Sequence, residues 1–251
     1  MKTYCLEVTG DFACFTRPEM KVERVSYDVI TPSAARAVFE AILWKPAIRW
    51  HVKKIEVLKP IRWISLRRNE VTSVVSVTNV KKAMNGGAAD LAIYADDSTE
   101  RAQRAGLFLR DVAYRLHADL ELIAPHPKHR NNYPYLIGKP VSSEEIEIEK
   151  APNTLPKFMS MFERRAGKGQ CINQPYLGCR EFSCAFRWIK DAAQEPAPIA
   201  ETRDLGWMLY DMDFTDAVDP KPRFFKARLR KGELIGDSGE LPSWSSSEVR
   251  G

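Results

Sequence analysis

Polar and apolar residues alternate from Lys2 through Tyr4, Leu6 and Val8, which predicts a first strand, and Gly10-Asp11 is expected to end it. Thr31 suits a helix N-cap and Pro32 the first helical position. Val38, Phe39 and Ile42 then recur at helical spacing, and Pro46 sets a limit on that helix. Ile48 to Leu58 is a strand candidate carrying Lys53 and Lys54. Arg67-Arg68-Asn69-Glu70 precedes a β-branched run from Val71 to Val77, read as a further strand. Lys81 to Ala89, with Gly86-Gly87 inside, reads as an exposed loop. Asp97-Ser98-Thr99-Glu100 has capping-box spacing and predicts a helix through Leu109. Val112, Tyr114, Leu116, Ala118, Leu120 and Leu122 alternate as a long strand. The resulting order, βαββαβ, is that of a ferredoxin-like α+β fold.

The pattern changes after Leu122. Six prolines fall between Pro125 and Pro156, with an acidic run from Glu144 to Glu149, so 123–156 reads as an inserted surface segment. Thr154 and Pro156 open a third helix, with Phe158, Met161, Phe162 and Arg165 at helical spacing and Gly167 and Gly169 to close it. Short strand-like pieces follow, then a polar tail from Ser243. The expected organisation is a ferredoxin-like domain over 1–122, the insertion over 123–156, and a third helix with a β-rich part over 157–251.

Composition excludes several classes. Hydrophobic residues make up 44% of the 251 and charged residues 28%, which rules out a disordered tail or a rod. No apolar run approaches a membrane span, and Glu7 interrupts any signal-peptide core, so a cytoplasmic protein without membrane contact is expected. Five cysteines without a C-x-x-C pair fit neither a disulfide framework nor a zinc knuckle. The net charge of +5 hints at an anionic partner only if the basic residues gather.

Lys157 falls in the first turn of the third helix, where a cation opposes the helix dipole. A bound phosphate would compensate it, although spacing alone favours a solvated lysine. Arg164-Arg165, Lys168, Gln170 and Arg180 follow, interleaved with Tyr176 and Phe182. Such a mixture suits a single-stranded RNA backbone with stacked bases, and an ordinary polar surface equally well. His126-x-x-His129 has no thiol or acidic partner nearby and reads as loop rather than metal ligand, so no metal site is expected. His117 is expected on the opposite face of its strand from the apolar row. Histidine is the side chain best suited to acid–base chemistry near neutral pH, so His51, His117, His126 and His129 are each candidates for it. There is no Ser-His-Asp signature, P-loop or dinucleotide fingerprint, and no cofactor is expected.

Several longer motifs carry a resemblance. Gly10-Asp11-Phe12-Ala13-Cys14-Phe15-Thr16-Arg17-Pro18-Glu19-Met20-Lys21-Val22-Glu23, Ser26-Tyr27-Asp28-Val29, Thr31-Pro32-Ser33-Ala34-Ala35, Trp44-Lys45-Pro46, Arg67-Arg68-Asn69-Glu70-Val71 and Gly169-Gln170 through Pro175-Tyr176-Leu177-Gly178-Cys179-Arg180-Glu181-Phe182 stand in order. Together they resemble the CRISPR-associated Cas-five family, subtype d, of type I-C systems, from residue 2 to about residue 235. The resemblance implies a ferredoxin-like RAMP domain that binds the CRISPR RNA repeat and its 5′ handle. The implied partners are the backbone and large subunits of the Cascade complex and target DNA near the PAM. It also implies cleavage of the precursor RNA without a metal, by attack of a ribose 2′-hydroxyl on the adjacent phosphate.

The family's catalytic positions fall on Leu43, where a Tyr is common, and on Lys157 and Phe158, where a Lys-His pair is common. Only Lys157 keeps the family's chemistry, and neither Leu43 nor Phe158 can move a proton. His129, His51 and His117 are the candidate substitutes. For RNA binding the resemblance and the charge pattern together select Arg67, Arg68, Arg164, Arg165, Lys168, Gln170 and Arg180. The sequence therefore reads as a Cascade subunit that binds the handle and cleaves the precursor. One alternative is a structural cap that holds the handle without cutting. A more distant one is a general double-stranded nucleic-acid binder.

Overall fold

A computed structural model describes residues 2–123, 153–216 and 218–251. The element order is β1 (Thr3–Ala13), α1 (Pro32–Ile42), β2 (Ile48–Val57), β3 (Trp63–Val71), α2 (Val77–Met84), β4 (Arg101–Leu122), α3 (Leu155–Gly167), β5 (Ala185–Ile189), β6 (Arg203–Asp213), β7 (Lys221–Arg230) and β8 (Glu233–Ile235). Thr31 caps α1 as its sequence suggests, its side chain accepting from the Ala34 amide, with Pro32 in the first turn.

The eight strands among the described residues join one antiparallel sheet in the order β5-β1-β4-β2-β8-β7-β6, with β3 pairing to β4. Strand β4 is 22 residues long and changes partners along its length. Its first part, Arg101 to Leu109, pairs with β3, and its later part lies between β1 and β2. The change falls beside Asp111, which adopts φ 52°. Aspartate tolerates this left-handed region better than most residues, and here its carboxylate also pairs with Lys59 at 2.6 Å and Arg62 at 3.5 Å.

Five local readings need correction. Gly10-Asp11 does not end β1, which runs on to Ala13. A Cβ at Gly10 would lie 2.7 Å from Leu177 Cδ1, so the Leu177 side chain packs directly over this position, where the chain folds back on the strand. The helix expected over 97–109 is absent: Asp97 closes a local turn by accepting from the Thr99 amide and hydroxyl, and Arg101 onward is β4. An aspartate side chain can satisfy nearby amides in a turn as readily as at a helix start. The strand expected over 71–77 lies earlier, at Trp63–Val71, so Arg67 and Arg68 are on it. Val77–Met84 is an exposed helix capped by Ser76, occupying the start of the expected loop at 81–89. The strand-like pieces expected to be short after the third helix include two strands of 11 and 10 residues, and the polar tail docks through buried Val249 and a bridge from Arg250 to Phe224.

Helices α1 and α3 lie on one face of the sheet, and the core fills the space between. Tyr4, Leu6, Leu116, Ala118 and Trp50 point to this face by strand alternation and meet Phe39, Phe158 and Phe162 from the helices. Phe162 sits at the centre, 4.8 Å from the Tyr4 ring and 4.7 Å from the Trp50 ring. The Trp50 indole N–H donates to the Leu43 carbonyl at 2.9 Å, so the buried ring has its polar atom paired. The core continues into β6 and β7 through Met208, Phe225, Ala227 and Leu229. Phe162→Ala is expected to cost about 3–5 kcal/mol, because the surrounding rings cannot collapse into the space. Met84→Ala on exposed α2 should stay within about 0.5 kcal/mol of the parent. Urea unfolding of both variants measures the contrast.

Candidate functional site

Lys157 is the third residue of α3, one turn past the Thr154 N-cap. It is half-buried, with its ammonium 3.4 Å from Asn153 Oδ1 and 5.5 Å from the Phe158 ring centre. No acidic residue stands in this first turn to balance it. The last turn holds Arg164 and Arg165, whose charges complement the carboxyl end of the helix dipole. Arg165 Nη1 donates to the Ile42 carbonyl at 3.0 Å, satisfying an end carbonyl of α1. Eight residues separate Arg165 from Lys157, a rise of about 12 Å along the helix.

Leu43 and Phe158 both point into the core, at 0% and 2% exposure. Leu43 ends α1, the end that Arg165 reaches. The two positions therefore contribute packing, with no side-chain surface for a ligand.

The basic residues form two groups. At the carboxyl end of α3, Arg164, Lys168 and Gln170 are exposed, and among the described residues Arg164 and Lys168 form no ion pair. The second group gathers around Glu181. Arg68 donates to it at 2.5 Å and Arg24 at 3.2 Å, while Arg68 and Arg104 both reach Glu70 at 3.3 Å. Arg68 also lies 5.1 Å over the Phe108 ring. Arg180, next to Glu181, is exposed, and Arg67 points away from Arg68 on the other side of β3. Arg24 and Arg104 carry no motif of their own, and only folding brings them to this group. Tyr176 is exposed, but Phe182 packs 5.5 Å from Phe108 and 6.0 Å from Phe12, so its ring belongs to the structure.

The face of the sheet opposite α1 and α3 is ionic. His117 pairs in register with Cys5, and Lys54 and Glu56 stand opposite His117 and Arg115 across β2 and β4. Glu56 is buried and accepts from His117 at 2.9 Å, Arg115 at 3.2 Å and Lys54 at 3.0 Å. Arg115 also donates to the Pro196 carbonyl at 2.8 Å. Burial pushes the Glu56 carboxyl upward, but its hydrogen bonds to His117 and Lys54 outweigh that and bring it down to about 2. His51 shares this face and lies 2.6 Å from Glu121, both half-exposed. His51 and His117 thus lie across the sheet from Lys157. His129 and the rest of the inserted segment up to residue 152 lie outside the described residues. Among the described residues, no three His, Cys, Asp or Glu side chains gather as a metal site, and no helix is long and apolar enough to cross a membrane.

Residues 3–235 match the family model for the CRISPR-associated protein Cas5, subtype d. The chain belongs to the Cas5d family. It is 43% identical to the CRISPR pre-crRNA endoribonuclease Cas5d of Mannheimia succiniciproducens, over 98% of this chain and 97% of that one. It is 36% identical to the protein of the same name from Thermus thermophilus, over 98% and 87%. Among solved structures, a CRISPR-associated protein superposes with a TM-score of 0.59 at 18% identity, covering 95% of this chain and 93% of that one. A functionally uncharacterized protein from Streptococcus mutans does so at the same score and identity, covering 100% and 97%. In this Cas5d chain, Lys157 is the only one of the three expected catalytic positions whose side chain leaves the core.

The ionic face of this Cas5d chain carries a pH dependence of known sign. Glu56 titrates lower when folded than the ordinary 4.5, so its contribution is present above about pH 4.5 and fades as the pH falls toward 2. Glu56→Gln should therefore be least stable relative to the parent near neutral pH, by on the order of 3 kcal/mol. The gap should narrow between pH 4.5 and 2. Urea midpoints of both proteins across that range provide the measurement, and a gap independent of pH would contradict the assignment.

Proposed function

We propose that this chain is a type I-C Cascade subunit of the cytoplasm that binds the CRISPR RNA repeat, holds its 5′ handle, and generates that handle by cutting the precursor. The observation that carries this reading is the near full-length similarity to two relatives named CRISPR pre-crRNA endoribonuclease Cas5d. The topology supports it. Strands β1, β2, β4 and β5 stand in the order β5-β1-β4-β2, with α1 between β1 and β2 and α3 between β4 and β5. We read this as the ferredoxin-like βαββαβ unit of a RAMP protein, completed by α3 and β5, with β3 and α2 as an excursion. The β-rich remainder, β6 to β8, extends the same sheet.

In this mechanism a ribose 2′-hydroxyl attacks the neighbouring phosphate, and the 5′-oxygen of the next nucleotide leaves. A cyclic phosphate and a 5′-hydroxyl result. Lys157, near the open amides of the α3 N-terminus, stabilises charge developing on the phosphoryl oxygens. No metal is required for this chemistry. Arg164, Lys168 and Gln170 at the other end of α3 and Arg180 and Arg67 beyond it are the exposed groups for the RNA backbone. Arg165 and Arg68 act one step back, the first by capping α1 and the second by fixing Glu181. The arm around α2 exposes Val74, Val77, Met84 and Tyr94, an apolar surface suited to the backbone or large subunit of the complex.

A second reading, the non-cutting cap, is favoured by one observation. Leu43 and Phe158 are packed in the core, and His51 and His117 lie on the opposite sheet face, so proton transfer at Lys157 has no candidate among them.

Cleavage separates the readings. The purified protein is expected to cut its cognate repeat RNA in EDTA, and a 2′-deoxy substitution before the scissile phosphate should abolish the cut. Lys157→Ala should slow cleavage by about 10²–10³ while changing RNA affinity far less. Tight binding of the repeat with no cut product in the parent would leave the cap. Binding has its own test. Arg164→Ala with Arg180→Ala should make the salt dependence of repeat affinity shallower by about 1 to 2 in log–log slope. An unchanged slope would move the RNA path elsewhere.

A further inference from the structure

Cys14 directly follows β1, and Cys179 lies in the turn before β5. They are 165 residues apart in sequence and adjacent in space. The Cys14 amide donates to the Leu177 carbonyl at 3.0 Å. Gly178 sits between, at φ 84°, and a Cβ there would lie 2.0 Å from the Cys14 carbonyl oxygen. Only glycine allows the turn to press this closely on Cys14. Cys179 Sγ lies 3.7 Å from the Cys14 carbonyl and 3.4 Å from Arg24 Nη1, while Cys14 Sγ lies 3.4 Å from Thr16 Oγ1.

The surroundings make the two sulfurs unequal. A hydrogen bond from the Cys14 thiol, helped by the Arg24 guanidinium, holds Cys179 below the ordinary thiol range. The same hydrogen bond, together with burial, pushes Cys14 well up. The guanidinium 3.4 Å from Cys179 Sγ favours the thiolate there and burial favours the thiol at Cys14, the arrangement of an attacking and a resolving cysteine. The other buried cysteines lack it. Burial pushes Cys5 and Cys184 up to about 12.

We propose that Cys14 and Cys179 form a peroxide-reactive dithiol that closes to a disulfide beneath the Arg24–Arg68–Glu181 group. The Cys179 thiolate attacks one oxygen of hydrogen peroxide. The O–O bond breaks, Cys179 becomes a sulfenic acid, and the departing hydroxide takes up a proton to leave as water. The Cys14 thiol then attacks the Cys179 sulfur, the S–O bond breaks, and the hydroxide combines with the thiol proton as a second water. Peroxide is reduced and the two thiols are oxidised. Cys179, at 8% exposure, lies nearer the surface than Cys14, at 0%, so the small oxidant meets it first, and Cys14 needs no exposure because its target is internal. The bond ties the turn bearing Arg180 and Glu181 to the end of β1. It also removes a negative sulfur from beside Arg24, leaving the arginine group more cationic.

The test treats the intact protein with limiting hydrogen peroxide, traps free thiols with N-ethylmaleimide under unfolding conditions, and maps peptides by mass spectrometry without reductant. The expected product is a Cys14–Cys179 cross-linked peptide, lost on adding dithiothreitol and formed before oxidation of the more exposed Cys171. In Cys14→Ser the reaction should stop at a Cys179 sulfenic acid, trapped by dimedone. Earlier oxidation of Cys171, or recovery of Cys14 and Cys179 as alkylated thiols while peroxide is consumed, overturns the proposal. The parent protein alone decides the matter if the variant does not fold.

Discussion

The double pairing of β4 is the constraint on which the rest of the structure depends. One strand of 22 residues cannot lie flat between two neighbours along its whole length, because sheets twist and partners diverge. It pairs with β3 over its first part and sits between β1 and β2 over its second, with Asp111 beside the change. The second part builds the core face, where Leu116 and Ala118 meet α1 and α3. The first part, with β3, carries Arg104 and Arg68 away from that core toward Glu181. The two halves of one strand therefore place the folding core and the arginine group in a fixed relation.

The sequence revealed the core more readily than the arm. In the core, period and burial agree: Val38, Phe39 and Ile42 face inward on α1, and Tyr114 to Leu122 alternate as they do in the sheet. In the arm few residues are buried, so patterns set by burial fade and local chemistry governs the reading. Asp97-Ser98-Thr99-Glu100 offers the same hydrogen bonds to a turn as to a helix, and pairing with β3 selects the turn. Gly10 misled for a related reason. Its lack of a side chain serves the approach of Leu177, a contact 167 residues away that no local window contains.

The candidate site divides along the same line. Lys157 and the arginines at the end of α3 were legible because helix position and charge are local properties. Arg24 and Arg104 were not, since they join Arg68 only through the register of β4 with β3 and the return of the chain at Glu181. The opposite sheet face was legible only as alternation at His117. Its value lies in pairing: Glu56 receives three donors, which hold a buried carboxylate in its charged form.

Leu43 and Phe158 bring packing and catalysis into direct competition. At both positions an apolar side chain fills the core beside the aromatic cluster around Phe162, and a Tyr or His there would have to bury a polar group or reopen the packing. Without proton-transfer groups at these positions, a cleavage reaction forgoes about 10²- to 10⁴-fold in rate. For an enzyme that releases its product and turns over repeatedly, that loss is severe. A subunit that keeps the cleaved handle as part of its complex needs one turnover per assembly, so a slow cut guided by Lys157 and the arginines is compatible with a well-packed core. On this argument the cutting and capping readings are separated by a rate, and retention of the RNA, common to both, is the property on which the arrangement of the basic residues bears.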